Sequence, residues 1–414
     1  MKKYLFALLI LVFALAVAGC GVPDLSETAI PPTEAPATEV PPDQTPVAAI
    51  TPDQVHLDPQ GLGNWQVVTV QATPYDASQP PGPKGLPAHI EILFDDVTDP
   101  ADRDPYAPVM YIIPVDAYIA LWQDAGDDFI ANLVDDVYLQ TTRLPWPPPA
   151  DGLPSLPVEE HLGVNDLSVQ VGRAASDEQS ASKNGYRFVG RFVQGMEPIT
   201  SDGTPLRYIY QGFTNDGKYL VAFYYPVTTD ALPTLADVQK ENLADADAVK
   251  AYIEQQREQL NALSPADWTP DLTQLDALVG SLQIDGMVTT GLQSQVWGLT
   301  SEINVSTGAE TPFENIDPAD YAMTFLPDGT MTYHADCNQG QASYTAEGGI
   351  TGSLSIEMGP TTLAQCSPES LSQMLIDTLA SVQSYDVKAG GDTLHLVRPA
   401  GGGVLVFKSL GPAQ

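Results

Sequence analysis

Five cations stand close together in an otherwise acidic chain: Lys183, Arg187, Arg191, Arg207 and Lys218. Arg187 and Arg191 share strand parity, so on a strand both side chains emerge on one sheet face. Guanidinium forks on a common face can hold a carboxylate or another anion through paired hydrogen bonds. Arg187, Arg191, Arg207 and Lys218 are therefore read as a candidate anion-binding face. The competing reading is a basic sheet face neutralised by the protein's own acids. A second cluster, Asp95, Asp96, Asp99, Asp102 and Asp104, has the oxygen-rich character that calcium favours, yet it lacks the glycine and distal glutamate of an EF-hand loop. A solvated loop accounts for it better. The histidines (His56, His89, His161, His334 and His395) are scattered, and none sits in a His or Cys set at zinc-ligand spacing. There is no G-x-S-x-G, H-E-x-x-H, phosphate loop or C-x-x-C pattern. No catalytic residue, metal or cofactor is assigned.

The cysteines carry more information. The chain has three: Cys20, Cys337 and Cys366. Lys2 and Lys3 precede an apolar run over residues 4–17, which is too short for a comfortable membrane span and reads as a secretory signal. The run closes on Val17-Ala18-Gly19-Cys20, which resembles a bacterial lipobox. That resemblance implies cleavage before Cys20 and lipidation of Cys20 with diacylglycerol, palmitate among its acyl chains. The expected location is the extracytoplasmic face of a cell membrane, held by lipid. With Cys20 lipidated, Cys337 and Cys366 remain in an exported chain, where disulfides persist. The expectation is that they pair; two buried free thiols are the alternative, because spacing alone does not give geometry.

These groups have to be positioned by folded elements, and the composition bounds what those are. Lys and Arg total 17 against 53 Asp and Glu, for a formal net charge of −36. Such a balance argues against nucleic acid and against electrostatic binding to anionic headgroups. Residues 20–60 form a Pro-, Thr- and acid-rich segment without Lys or Arg, which reads as a disordered tether. Fully extended as polyproline it would reach about 120 Å. Residues 61–285 mix strand-like and helix-like runs without strict βαβ alternation. Strands are expected at 65–70, 89–94, 109–113, 187–193, 206–211 and 219–225, with Thr214-Asn215-Asp216-Gly217 as a hairpin turn. Helices are expected around 115–122 and 129–137, broken near Gly126, and again around 249–263 and 272–279. The Pro-rich run over 144–157 must be extended loop. Asn184-Gly185, the run from Tyr208 to Gly217 and Tyr224-Tyr225-Pro226-Val227 resemble an uncharacterised module of other exported bacterial proteins.

The last part of the chain is the most specific. Tyr321, Met323 and Phe325 alternate as a half-buried strand, Pro327-Asp328-Gly329 reverses the chain, and Met331 and Tyr333 resume the alternation. Ser367-Pro368-Glu369 has helix-start chemistry, with Leu371, Met374, Leu375, Thr378, Leu379 and Val382 at helical spacing. Leu394, Leu396 and then residues 404–407 form a closing hairpin. Trp297-x-Leu299, F-x-PDG ahead of Cys337-Asn338, and TTLAQC ending at Cys366 together resemble the META domain family over residues 294–410. Asp336 stands where that family often has glycine. The resemblance implies an envelope or secreted domain linked to stress tolerance, with no established catalytic centre. The fold class is α+β in two domains: a middle mixed α/β module with antiparallel strands, and a small C-terminal antiparallel sheet packed on one helix. The leading expectation for function is a non-enzymatic binding or structural module at the cell envelope, partnered by an envelope protein or a small ligand. The alternatives are a hydrolase or sugar-processing enzyme with its site in the middle domain, and an inhibitor of a secreted hydrolase.

Overall fold

The computed structural model describes residues 50–79, 83–142, 153–159, 163–174, 178–399 and 402–413. The expected signal run, Cys20, most of the expected tether, His161 and most of the Pro-rich run lie outside the described residues. Among the described residues no helix is long and apolar enough to cross a membrane.

In chain order the middle part begins with strands β1 (Val55–His56), β2 (Trp65–Val70), β3 (His89–Phe94) and β4 (Val109–Pro114). Helices α1 (Val115–Gln123) and α2 (Phe129–Thr142) follow, separated at Gly126, whose φ of +78° ends the first helical run. Then come β5 (Val164–Asn165), β6 (Val169–Gly172), β7 (Asn184–Gly190), β8 (Phe192–Val193), β9 (Leu206–Phe213) and β10 (Tyr219–Val227). Helices α3 (Ala246–Ala262) and α4 (Leu272–Gly280) and strand β11 (Gln283–Ile284) complete this part. Seven of these strands make one antiparallel sheet in the order β2-β3-β4-β10-β9-β7-β6. Buried side chains of α1 and α2 pack on one face of it and those of α4, with Ile253 and Leu260 of α3, on the other. Coverage on both faces explains why β9, LRYIYQGF, is buried at every position instead of alternating.

The folded part starts earlier than the sequence suggests. Val55 and Leu57, placed in the tether by composition, are buried, and β1 pairs antiparallel with β11 through Val55 and Ile284. The flanking prolines and acids mask two apolar residues that the core uses.

The C-terminal part runs β12 (Gln295–Ile303), β13 (Glu310–Pro312), β14 (Ala322–Phe325), β15 (Thr330–Ala335), β16 (Asn338–Ala346) and β17 (Thr351–Thr361). Helix α5 (Ser372–Leu379) precedes β18 (Ser384–Val387), β19 (Thr393–Val397) and β20 (Val404–Pro412). The nine strands pair antiparallel, and β20 returns to β12, so the sheet closes into a barrel with β13 appended outside. Closure removes the exposed edges that an open sheet would present. Trp297, Leu299, Phe325, Leu375, Leu379 and Phe407 fill the interior. The helix begins at Ser372, not at Ser367, because the chain first turns away from Cys366, with Ser370 N donating to Ser367 O at 3.1 Å. At the Cys-Asn corner Asp336 takes a φ of +57°, the left-handed conformation for which glycine is favoured and Asp is among the tolerated substitutes.

The two sheets meet through Asn184, which the sequence shows only as part of a resemblance motif, and through the hairpin turn at residues 214–217. Asn184 Oδ1 accepts from Gly349 N at 3.0 Å and Ile350 N at 2.9 Å. Asn215 Nδ2 donates to Val288 O at 3.2 Å, and Gly217 O accepts from Gly390 N at 2.9 Å. A side chain at Gly217 would approach Lys388 O at 2.9 Å, so the hairpin needs glycine for close approach as well as for its φ of +75°. Tyr138 of α2 hydrogen-bonds Asp386 of β18, which Lys388 also contacts at 3.1 Å. One apolar cluster runs from Tyr118 and Tyr138 through Phe213 to Ile350, Tyr385 and Val387. Ile50–Gln414 is thus a single compact unit in which the middle and C-terminal domains pack together, with residues 285–290 connecting them.

Candidate functional site

The basic residues singled out from the sequence do not form an anion-binding face. Arg187 points to the face covered by α4 and pairs with Asp276 at 3.2 Å, with Gln170 O as a further acceptor. Arg191, 0% exposed, is held by Asp166 in a bidentate contact of 3.0 and 2.8 Å and donates to Pro198 O and Glu197 O. Arg207 emerges on the opposite face, where it pairs with Glu159 and lies 4.9 Å over the Tyr224 ring. Lys218 sits in the β9–β10 turn with its ammonium 3.0 Å from the Gln295 amide, beside Asp116. Each guanidinium is spent on a carboxylate of the chain itself. Alternation placed Arg187 correctly on a strand; what it could not supply was the acid arriving from a distant helix or loop.

The aspartate run has local uses. Asp99 caps a short 3-10 turn by accepting from Ala101 N at 2.9 Å, Asp104 accepts from Tyr106 N, and Asp96 accepts from Asn64. Cys337 and Cys366 are joined by a disulfide, with Cα atoms 5.5 Å apart. The link ties the start of β16 to the chain entering α5.

A buried polar network, not anticipated from the sequence, lies against β3 and β4. Glu159 receives Arg103 at 3.1 Å and Arg207, while Tyr111 Oη accepts from Arg103 at 2.9 Å. Burial, reinforced by the Glu159 charge, raises Tyr111 well above the usual phenol range, so it remains a hydrogen-bond donor. Next to it His89 Nδ1 faces Pro87 O at 2.8 Å and Nε2 faces Glu91 Oε1 at 3.2 Å. A carbonyl only accepts, so Nδ1 is the donor to Pro87 O. Glu91 inside the apolar strand HIEILF was the available clue: an acid there must find a buried partner.

The opening best suited to a ligand is a cavity of about 770 Å³ beside α1 and α2. Its wall is mostly apolar, with Trp122, Phe129, Leu156, Pro157, Val164 and Phe192. Phe129 and Val164 are 52% and 68% exposed. The charges at its rim are already matched: Lys84 lies 3.7 Å from Asp127 and 5.6 Å over the Trp122 ring, and Tyr75 Oη donates to Asp127 at 2.8 Å. The Phe129 amide, Tyr75 hydroxyl and Lys84 hold the Asp127 carboxyl below the usual carboxylate range.

The META domain family model matches residues 290–410, and the C-terminal barrel is a META domain. Two solved structures resemble part of the chain. One is an NMR structure of a protein from Burkholderia xenovorans, 18% identical, with 28% of this chain and 83% of that one covered and a TM-score of 0.23. The other is a crystal structure of a DUF4847 family protein from Bacteroides vulgatus, 17% identical, covering 28% of this chain and 93% of that one at a TM-score of 0.23. No curated protein matches. The family model covers the barrel and does not extend to the middle sheet.

Proposed function

We propose that this protein is a lipid-anchored envelope protein that binds a small, uncharged, apolar molecule in the cleft of its middle sheet. The observation that carries the binding reading is the cavity itself. Its volume, about 770 Å³, falls among small-molecule sites, and its lining is mostly apolar; the charged residues in it, Lys84 and Asp127, neutralise each other, and Gln79, Ser155 and Asn165 are the uncharged polar groups. A charged ligand would have to displace that pair, whereas an uncharged apolar one covers Trp122 and Phe129 without breaking it. The anchor rests on the signal run ending at Cys20. The Cys337–Cys366 disulfide supports an oxidising compartment, where such bonds persist.

Binding is tested with a neutral solvatochromic naphthalene dye, titrated against the purified full chain in detergent micelles, with the cleft variants Phe129→Asp and Val164→Asp. Both side chains are largely exposed, so the variants fold. Each is expected to weaken dye binding at least about tenfold, the equivalent of 1.4 kcal/mol. Affinity unchanged in both variants would place the dye elsewhere and end the cleft reading.

A further inference from the structure

We infer that residues 361–365 of the META domain, TTLAQ, form a docking loop that enters the substrate cleft of a protease with an apolar primary pocket. This goes beyond the cleft reading and uses a different part of the molecule. Leu363 is 94% exposed, the highest value among the large hydrophobic side chains that lie open to solvent in the described residues. A lone exposed leucine is ordinary. The chain around this one is not.

Both neighbours of Leu363 are fixed from beneath. Thr362 N donates to Gln339 O at 3.0 Å, and Thr362 Oγ1 accepts from Gln339 N at 2.9 Å. On the other side the Asn338 side chain grips Ala364 at both of its backbone groups: Oδ1 accepts from Ala364 N at 2.8 Å and Nδ2 donates to Ala364 O at 3.2 Å. Asn338 Nδ2 is itself 3.2 Å from Ser372 Oγ, and the disulfide closes the loop one residue beyond Gln365. Leu363 N and O have no hydrogen-bond partner among the described residues. The loop is thus pinned at 362 and 364 and open at 363, with the backbone groups and side chain of one residue turned to solvent together.

A protease cleft recognises that combination. It hydrogen-bonds the backbone of the residue entering its primary pocket and buries that residue's side chain, and the pocket sets which side chain is taken. The segment 361–365 bears no charge in a chain of net charge −36, so recognition falls to leucine and an apolar slot. Pre-ordering lowers the entropy lost on binding, and the Asn338 strut and disulfide supply it. Held this way, Ala364 cannot readily move off after attack at the preceding carbonyl, so the loop occupies the cleft as an inhibitor does.

The test assays the purified full chain in detergent micelles against chymotrypsin and subtilisin with a peptide substrate. The expected result is competitive inhibition with the 363–364 bond largely intact over the assay. Leu363→Gly raises the inhibition constant at least about tenfold, and Leu363→Lys loses chymotrypsin and gains trypsin, whose pocket is acidic. Asn338→Ala, with its strut removed, is cleaved faster than wild type. Because Leu363 is solvent-exposed, its variants fold, and the specificity exchange does not depend on the Asn338 variant. Wild type that inhibits neither enzyme, or is cut at 363–364 without slowing either, or a lysine variant inert to trypsin, overturns the proposal.

Discussion

Replacing Cys337 and Cys366 together by serine is expected to lower the unfolding free energy by about 3–4 kcal/mol. The disulfide closes a loop with a sequence separation of 29. Cross-linking a loop of that length removes roughly this much chain entropy from the unfolded ensemble. The native barrel has further reason to depend on it. Asn338 follows Cys337 and reaches Ala364, Cys366 and Ser372, so the link also holds the side chain that joins β16 to the start of α5. Urea midpoints of the double-serine variant and of wild type, each in oxidising buffer, give the comparison. A midpoint unchanged by the substitution would mean the unlinked chain is already held by the barrel closure of β12 and β20.

The second large effect concerns Arg191. Arg191→Met is expected to cost about 2–4 kcal/mol, because it empties a fully buried guanidinium site and leaves Asp166, whose side chain is 22% exposed, without its bidentate partner. Asp166 would keep a carboxylate with its bidentate partner gone, and the Pro198 and Glu197 carbonyls would lose their guanidinium donors. The companion variant, Asp166→Asn combined with Arg191→Met, removes the stranded charge and should recover part of the loss. Thermal unfolding of the three proteins measures it. The same series separates a structural arginine from an anion-binding one. A site arginine would leave stability within about 1 kcal/mol on substitution, whereas the buried geometry requires the larger loss.

That contrast shows where sequence reading succeeds in this protein and where it stops. Local patterns were legible: Met323, Phe325, Met331 and Tyr333 alternate into the barrel, and Pro327-Asp328-Gly329 makes the turn, with Gly329 at a φ of +82°. The long middle-sheet strands and all of its helices also announce themselves through period and punctuation. What depends on long-range pairing was not legible. Nothing near Val404 signals that β20 returns to β12 and closes the sheet. Nothing near Arg187 signals Asp276. Val55 and Leu57 sit among prolines and acids, so composition assigned to the tether two residues that belong to the core. Asn184 and Asn215 illustrate an intermediate case. The turn at Asn215 and the motif at Asn184 are visible in the sequence, but their hydrogen bonds to residues 288–350, which fasten the META barrel to the middle sheet, exist only once both sheets are folded.

The cleft follows the same rule. Trp122 and Phe129 lie at the ends of two helices whose periodicity is visible, while Val164 and Phe192 come from two-residue strands too short to show a pattern. Their convergence is a property of the tertiary structure. So is the pinned loop at Leu363, since the asparagine that grips Ala364 lies 26 residues earlier in the chain.

The anchor is tested most directly by fractionation. Cells producing the full-length protein or its Cys20→Ser variant are broken without detergent, the membranes are washed in high salt, and both fractions are probed for the intact chain. The account predicts wild type in the membrane pellet, released by detergent alone, and the serine variant in the soluble fraction. A Cys20→Ser protein that stays with the washed membranes would contradict it.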